Sequence, residues 1–152
     1  MIKSSKLFKG SLAPVYPQTQ QTLLILQDIL TSTLSLLLRS HEAHWNVKGM
    51  TFGLLHELFG GFYDFLDSSA DTVAERIVQL DGTVRSNPQG SSLSGDDLVM
   101  LTSIREGAQK LAEKLNRATG AIGSGDEVTG DILTEFQREL EKWLWKIESH
   151  LK

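Results

Sequence analysis

Four side chains restrict this chain more than any other feature: His44 and His56, on either side of a break marked by Gly49 and Gly53, and the acid pair Asp71 and Glu75 further on. The segments flanking the break are apolar at helical spacing. Asp71 and Glu75 are four residues apart, so on a helix both carboxylates project from one face. His56 and Asp71 are fifteen residues apart on what reads as a single helix. At the helical rise this separates them by roughly 22 Å along the axis, about ten times a metal–ligand bond. One chain therefore cannot close a site from all four. Two copies of the helix packed antiparallel about a two-fold axis can, with the histidines of one copy facing the acids of the other and two such sites per dimer.

Two imidazoles and two carboxylates suit a divalent transition metal such as iron, manganese or zinc. A lone helical histidine is more often a hydrogen-bonded structural residue, and it is the joint register of all four groups that points to a metal. A metal centre inside a single bundle, which uses Glu-x-x-His motifs, has no support. The positions three before His41, His44, His56 and His150 are Leu38, His41, Gly53 and Ile147. With no cysteine in the chain, thiolate sites and disulfides are excluded, which fits a reducing compartment.

The periodicity predicts four helices, over about Thr19–Val47, Phe52–Leu80, Asp96–Thr119 and Asp126–His150. Leu23, Ile25, Leu26, Ile29, Leu30, Leu34, Leu37 and Leu38 form the apolar stripe of the first. Gly82 is the expected C-cap of the second. Residues 83–95 make the middle crossover, and Gly120–Gly125 a glycine-rich turn. The expected class is all-α: a four-helix bundle over 18–152 with a long middle connection, preceded by a flexible basic arm over 1–17. The 152 residues suit one domain.

The segment His44, Trp45, Asn46, Val47, Gly49, Phe52, Leu55, His56, followed by Asp71, Glu75 and Arg76, resembles the pattern H-W-N-V-x-G-x-x-F-x-x-L-H … D-x-x-x-E-R of the Dps family, the mini-ferritins. The closing run Glu141–Trp145 with Ser149–Leu151 is similar to that family's last helix, and Asp126–Asp131 to its start; the likeness covers about residues 20–152. The resemblance implies a ferritin-like bundle assembled into a hollow homo-dodecamer. Iron would be bound and oxidised between subunits, as a mono-iron or di-iron site in which zinc can substitute. It further implies oxidation of iron(II) by hydrogen peroxide or oxygen, storage of ferric iron, and protection against oxidative damage. His44, His56, Asp71 and Glu75 would be the ligands.

One position departs from that pattern. The family usually carries an acidic ligand four residues after the second histidine, and here that residue is Gly60. This weakens the expected oxidation centre and leaves a metal-binding or DNA-compacting shell as the alternative function. Asp64 and Asp67 share a quadrant with His56 and read as outer-sphere or transit sites, or as solvated surface acids. Trp45 reads as a redox partner of the iron or as an interface aromatic. Asp126, Glu127 and Asp131 read as helix-capping acids and, by resemblance, as the lining of a three-fold cation pore. The family's small helix between the second and third main helices has little room here.

The net charge of −4 is unevenly placed: Lys3, Lys6 and Lys9 precede the first acid, Asp28. The acidic body repels nucleic acid, so DNA binding is expected to be weak or absent and to depend on the arm. The leucine-rich runs are broken by Asp28 and Arg39, shorter than the ~18 residues of a membrane span, and no secretory core follows Met1. The expected location is the cytoplasm, in nucleoid association if DNA is bound.

Overall fold

A computed structural model describes residue 16, residues 18–90, residue 93 and residues 95–152. Lys3, Lys6 and Lys9 of the expected basic arm lie outside these. Four helices carry the fold: α1 (Thr19–Asn46), α2 (Phe52–Gln79), α3 (Asp97–Ile122) and α4 (Glu127–Ser149). Asp96 caps α3 by accepting from the Val99 N–H, and Asp126 caps α4 by accepting from the Thr129 N–H. Each carboxylate satisfies an otherwise orphaned amide of a first helical turn.

Two expected boundaries move. The end of α2 is a Schellman closure, with Gly82 N–H donating to Ile77 O and Asp81 N–H to Val78 O. Its left-handed residue is Asp81, at φ 64°, not Gly82. Glycine is required at 82 for another reason: a Cβ there would stand 2.9 Å from the Ile77 carbonyl oxygen and 2.6 Å from Leu23 Cδ2. The expected turn from Gly120 begins only at Gly123, because buried Ile122 anchors a further helical turn of α3 in the core.

Helix α1 packs against α2 and α3, and α4 against α3 and α2. Asp28 and Ser32 meet Lys114, while Arg39 reaches Ser103 O. Helices α1 and α3 therefore run antiparallel, and the α2–α3 connection must travel the length of the bundle, as in ferritin-like folds. It does so along α1. Gln27 bonds the backbone of Thr83 and Arg85, Ser35 that of Gln89, and Glu42 that of Leu93. Among the described residues this crossover holds no helix.

The core is apolar and continuous, with Phe59, Phe62, Leu26, Ile104, Leu133 and Ile147 fully enclosed. Buried Thr33 and Ser40 satisfy their hydroxyls on the carbonyls of Ile29 and Leu36, which removes the cost of burying them. On α1 the expected stripe differs at one end only: Leu36 is buried and Leu38 exposed. By length and hydropathy α1 is the one described helix that could cross a membrane. Its Leu26, Ile29, Leu30 and Leu37 instead face the other helices.

Trp143 and Trp145 separate as their spacing requires. Trp143 packs on Phe62 and Phe65 beneath the Lys146 ammonium, whereas Trp145 is exposed. The Trp143 ring is seated against Gly61, where a Cβ would come within 2.8 Å of Cη2. Gly61→Ala should therefore lower stability, because an overpacking cost of about 1–3 kcal/mol exceeds the ~1 kcal/mol helix-propensity gain. Gly120→Ala, where a Cβ meets nothing within 4 Å, should raise it. Urea midpoints of the two variants check the pair, and a stabilised Gly61→Ala would refute the packing argument.

Candidate metal centre

The turn Val47–Thr51 folds α2 back on α1 and stacks the two histidine rings, His44 on His56, at 3.7 Å between centroids. Each ring is held by the other residue's backbone: His44 Nδ1 lies 2.8 Å from His56 O, and His56 Nδ1 lies 2.9 Å from His44 O. A carbonyl oxygen can only accept, so both Nδ1 atoms carry the proton and donate. Both Nε2 atoms are then the lone-pair atoms, the state a neutral imidazole needs to ligate a metal. The arrangement also satisfies the His44 carbonyl, which lies in the last turn of α1 beyond the reach of intrahelical bonds.

Aromatic side chains enclose the pair. Phe52 stacks on His56 at 4.7 Å, Tyr63 meets the edge of His44 at 5.2 Å, and His41 stacks on Tyr63 at 4.0 Å. Trp45 lies 5.3 Å from His41 and is 69% exposed. Neither the reciprocal bonds nor the His41–Tyr63 stack follows from sequence spacing, since both depend on the turn geometry.

Helix α2 is unbroken from Phe52 to Gln79. His56 and Asp71 therefore stay about 22 Å apart along it, and Asp71 and Glu75 are exposed on the outer face. Among the described residues of one chain, no three His, Asp or Glu side chains gather as a metal-binding group. Asp64, Asp67 and Asp71 line an open groove with Leu30, Leu34 and Val84. At Gly60 a Cβ would lie 3.3 Å from Nδ1 and Cε1 of His44. The missing side chain thus lets the imidazole rest against the α2 backbone, and an acid at this position would press on that ring.

The acids at the start of α4 divide. Asp126 is 2% exposed and pairs with Arg76, 4% exposed, at 2.9 Å. Arg76 Nε also donates to Thr129 Oγ1 at 2.8 Å. Burial pushes the Asp126 carboxyl upward, but bonds from the Thr129 hydroxyl and amide and from Arg76, together with the Arg76 charge, outweigh it and hold the carboxyl below its ordinary value. The capping role expected of Asp126 is present. Its carboxylate is enclosed and committed to Arg76, and of the three acids only Glu127 and Asp131 reach the surface of the chain. His150 sits at the end of α4, its Nδ1 on the Lys146 carbonyl.

Residues 23–152 match the model of the ferritin-like domain. A "DNA protection during starvation protein" of Agrobacterium fabrum is 35% identical over 139 residues, covering 84% of this chain and 86% of that protein. General stress protein 20U of Bacillus subtilis is 31% identical, covering 73% and 83%. The crystal structure of a Dps protein from Bacillus brevis superposes with a TM-score of 0.83 at 25% identity, covering 91% and 100% of the two chains. Shared sequence over most of the chain, together with the shared bundle, establishes that this chain belongs to the Dps family of ferritin-like proteins.

Proposed function

We propose that the protein is a mini-ferritin that takes iron(II) as substrate and oxidises it, with hydrogen peroxide as the favoured oxidant and oxygen the slower one. It then stores the ferric product inside a homo-dodecameric shell. The observation that carries this reading is the reciprocal pair of Nδ1–H···O bonds between His44 and His56, which leaves two neighbouring Nε2 atoms as lone-pair donors. Asp71 and Glu75 of a second copy complete the donor set, a mixture of imidazole and carboxylate that suits iron and also admits zinc. The continuity of α2 and the exposed Trp45, Met50 and Leu54 around the turn support pairing of two chains on this face. Trp45 is a redox partner in this reading, Asp64 and Asp67 lie on the path of incoming cations, and Glu127 and Asp131 edge a pore. Contact with DNA is weak and runs through the basic arm, and the protein works in the cytoplasm.

Consuming iron(II) together with peroxide suppresses hydroxyl-radical formation, which is the protective outcome. A second reading is a shell that binds iron without fast turnover. It is favoured by Gly60, which offers no ligand one turn after His56. Stopped-flow mixing of anaerobic iron(II)-loaded protein with peroxide separates the two. Oxidation much faster than in buffer, and lost in His44→Ala, is expected. Tight binding with oxidation at the buffer rate would leave only the second reading.

A further inference from the structure

The turn that brings the two histidines together is held from a third helix. Val47 is buried at its start, but the residues that follow have little packing within the chain. Lys48 and Thr51 are exposed, Met50 is fully exposed, and a Cβ at Gly49 would meet nothing within 4 Å. Asp97, in the first turn of α3, supplies the hold. Its carboxylate accepts from the Lys48 amide at 3.4 Å and from the Thr51 hydroxyl. One side chain thus bridges the two ends of the short 3₁₀ turn Gly49–Thr51, across the positive φ of Gly49.

Thr51 shows that this bond prevails over a local one. A threonine at a helix N-cap ordinarily turns its oxygen back to the first amides of its own helix. Thr51 stands at that position of α2 and makes no such bond. Its hydroxyl goes instead to Asp97, forty-six residues away. Asp97 is free of capping duty on α3, because Asp96 holds the Val99 amide. A carboxylate acceptor also makes stronger hydrogen bonds than a neutral one.

The consequence for the metal centre rests on the iron reading above. Lys48 is four residues after His44, and Thr51 is five before His56. The clamp therefore sets how far apart the two histidine backbones lie. Each Nδ1–H reaches the other residue's carbonyl across this turn, and good hydrogen bonds span only ~0.5 Å in donor–acceptor distance. We propose that Asp97 is a positioning residue for the metal centre. By clamping Lys48 to Thr51 it keeps both Nδ1–H···O bonds closed, and so keeps both Nε2 atoms as lone-pair donors. It acts through the backbone of the turn.

The test has two arms. In metal-free protein labelled with nitrogen-15 histidine, solid-state NMR at a pH where the imidazoles are neutral separates a protonated Nδ1 from a bare one. His44→Gln and His56→Gln assign the signals. His44, His56 and His150 should all carry Nδ1–H in the wild type, and His150 is the internal control, since its bond to the Lys146 carbonyl lies outside the turn. In Asp97→Ala and Thr51→Val, His44 and His56 should move towards the Nε2–H form that free histidine favours, while His150 stays. Thr51→Ser restores the hydroxyl and should restore both signals. In the second arm, anaerobic iron(II) titration should show affinity weakened about tenfold or more in Asp97→Ala and Thr51→Val, and wild-type affinity in Thr51→Ser. A merely structural role would lower the urea midpoint and leave the tautomers in place. Unchanged tautomers in Asp97→Ala and Thr51→Val would overturn the proposal, as would wild-type iron(II) affinity in both, or Thr51→Ser behaving as Thr51→Val does. The threonine pair decides the matter if Asp97→Ala folds poorly. If the wild type binds no iron(II), the iron reading fails, while the tautomer arm, read without metal, still supports or overturns the hold of Asp97 on the rings.

Discussion

Arg76→Ala is expected to cost about 3–5 kcal/mol of stability, the usual result of stripping one partner from a buried ion pair. Arg76 and Asp126 are almost wholly enclosed, and the guanidinium serves Asp126, Thr129 and Gln79 together. Alanine leaves a desolvated carboxylate with only Thr129 beside it. It also frees α2 from the start of α4 at the residue following Glu75, so the acid pair should lose order along with stability. Urea unfolding of both proteins at neutral pH measures the cost, and a loss below ~1 kcal/mol would mean that water or a relaxed chain replaces the guanidinium. The pair also predicts a pH dependence. The folded-state pKa of Asp126 lies below its ordinary value, so its contribution is fully present above that ordinary value. It is lost as pH falls through the lowered one. The gap between wild type and Arg76→Ala should narrow on acidification in that range.

The helices were legible because their signals are local and repeated. Apolar residues recur at helical spacing, the α1–α2 break carries Gly49 and Gly53, and Asp96 and Asp126 precede their helices as N-caps. What escaped depends on pairs distant in sequence. Gly82 resembles a C-cap, yet a Cβ there would meet Leu23 on another helix as well as the Ile77 carbonyl. Ile122 continues α3 past Gly120 because the core accepts its side chain. The crossover has no period to read, since Gln27, Ser35 and Glu42 on α1 hold its backbone. The same division runs through the site. The register of His44, His56, Asp71 and Glu75 is a spacing and could be read. The tautomer lock is made by carbonyls across a turn, the His41–Tyr63 stack joins two helices, and Arg76 meets Asp126 from fifty residues away. Asp126 carries a capping signature in sequence but no sign that its carboxylate is enclosed.

His56→Ala and Glu75→Ala are each expected to weaken iron(II) binding at least tenfold, about 1.4 kcal/mol, because each removes one donor from every site. Together they should restore part of what each loses alone. The α2 helix keeps His56 and Asp71 about 22 Å apart, so a site drawn from two chains takes histidines from one copy and acids from the other. In a mixed dimer, one site combines the altered histidine side with the altered acid side and is lost twice over. The other combines the intact histidines of the Glu75→Ala chain with the intact acids of the His56→Ala chain and is complete. With random pairing, half the dimers are mixed and about one quarter of all sites recover wild-type affinity under two-fold symmetry. Co-expression with two different tags, isolation of the doubly tagged assemblies and anaerobic iron(II) titration would count those sites. No high-affinity sites in the mixed assemblies, with both variants folded, would exclude a centre shared between chains. A site confined to one chain cannot be rebuilt by mixing, so the recovered fraction reports the geometry independently of how fast the iron is oxidised.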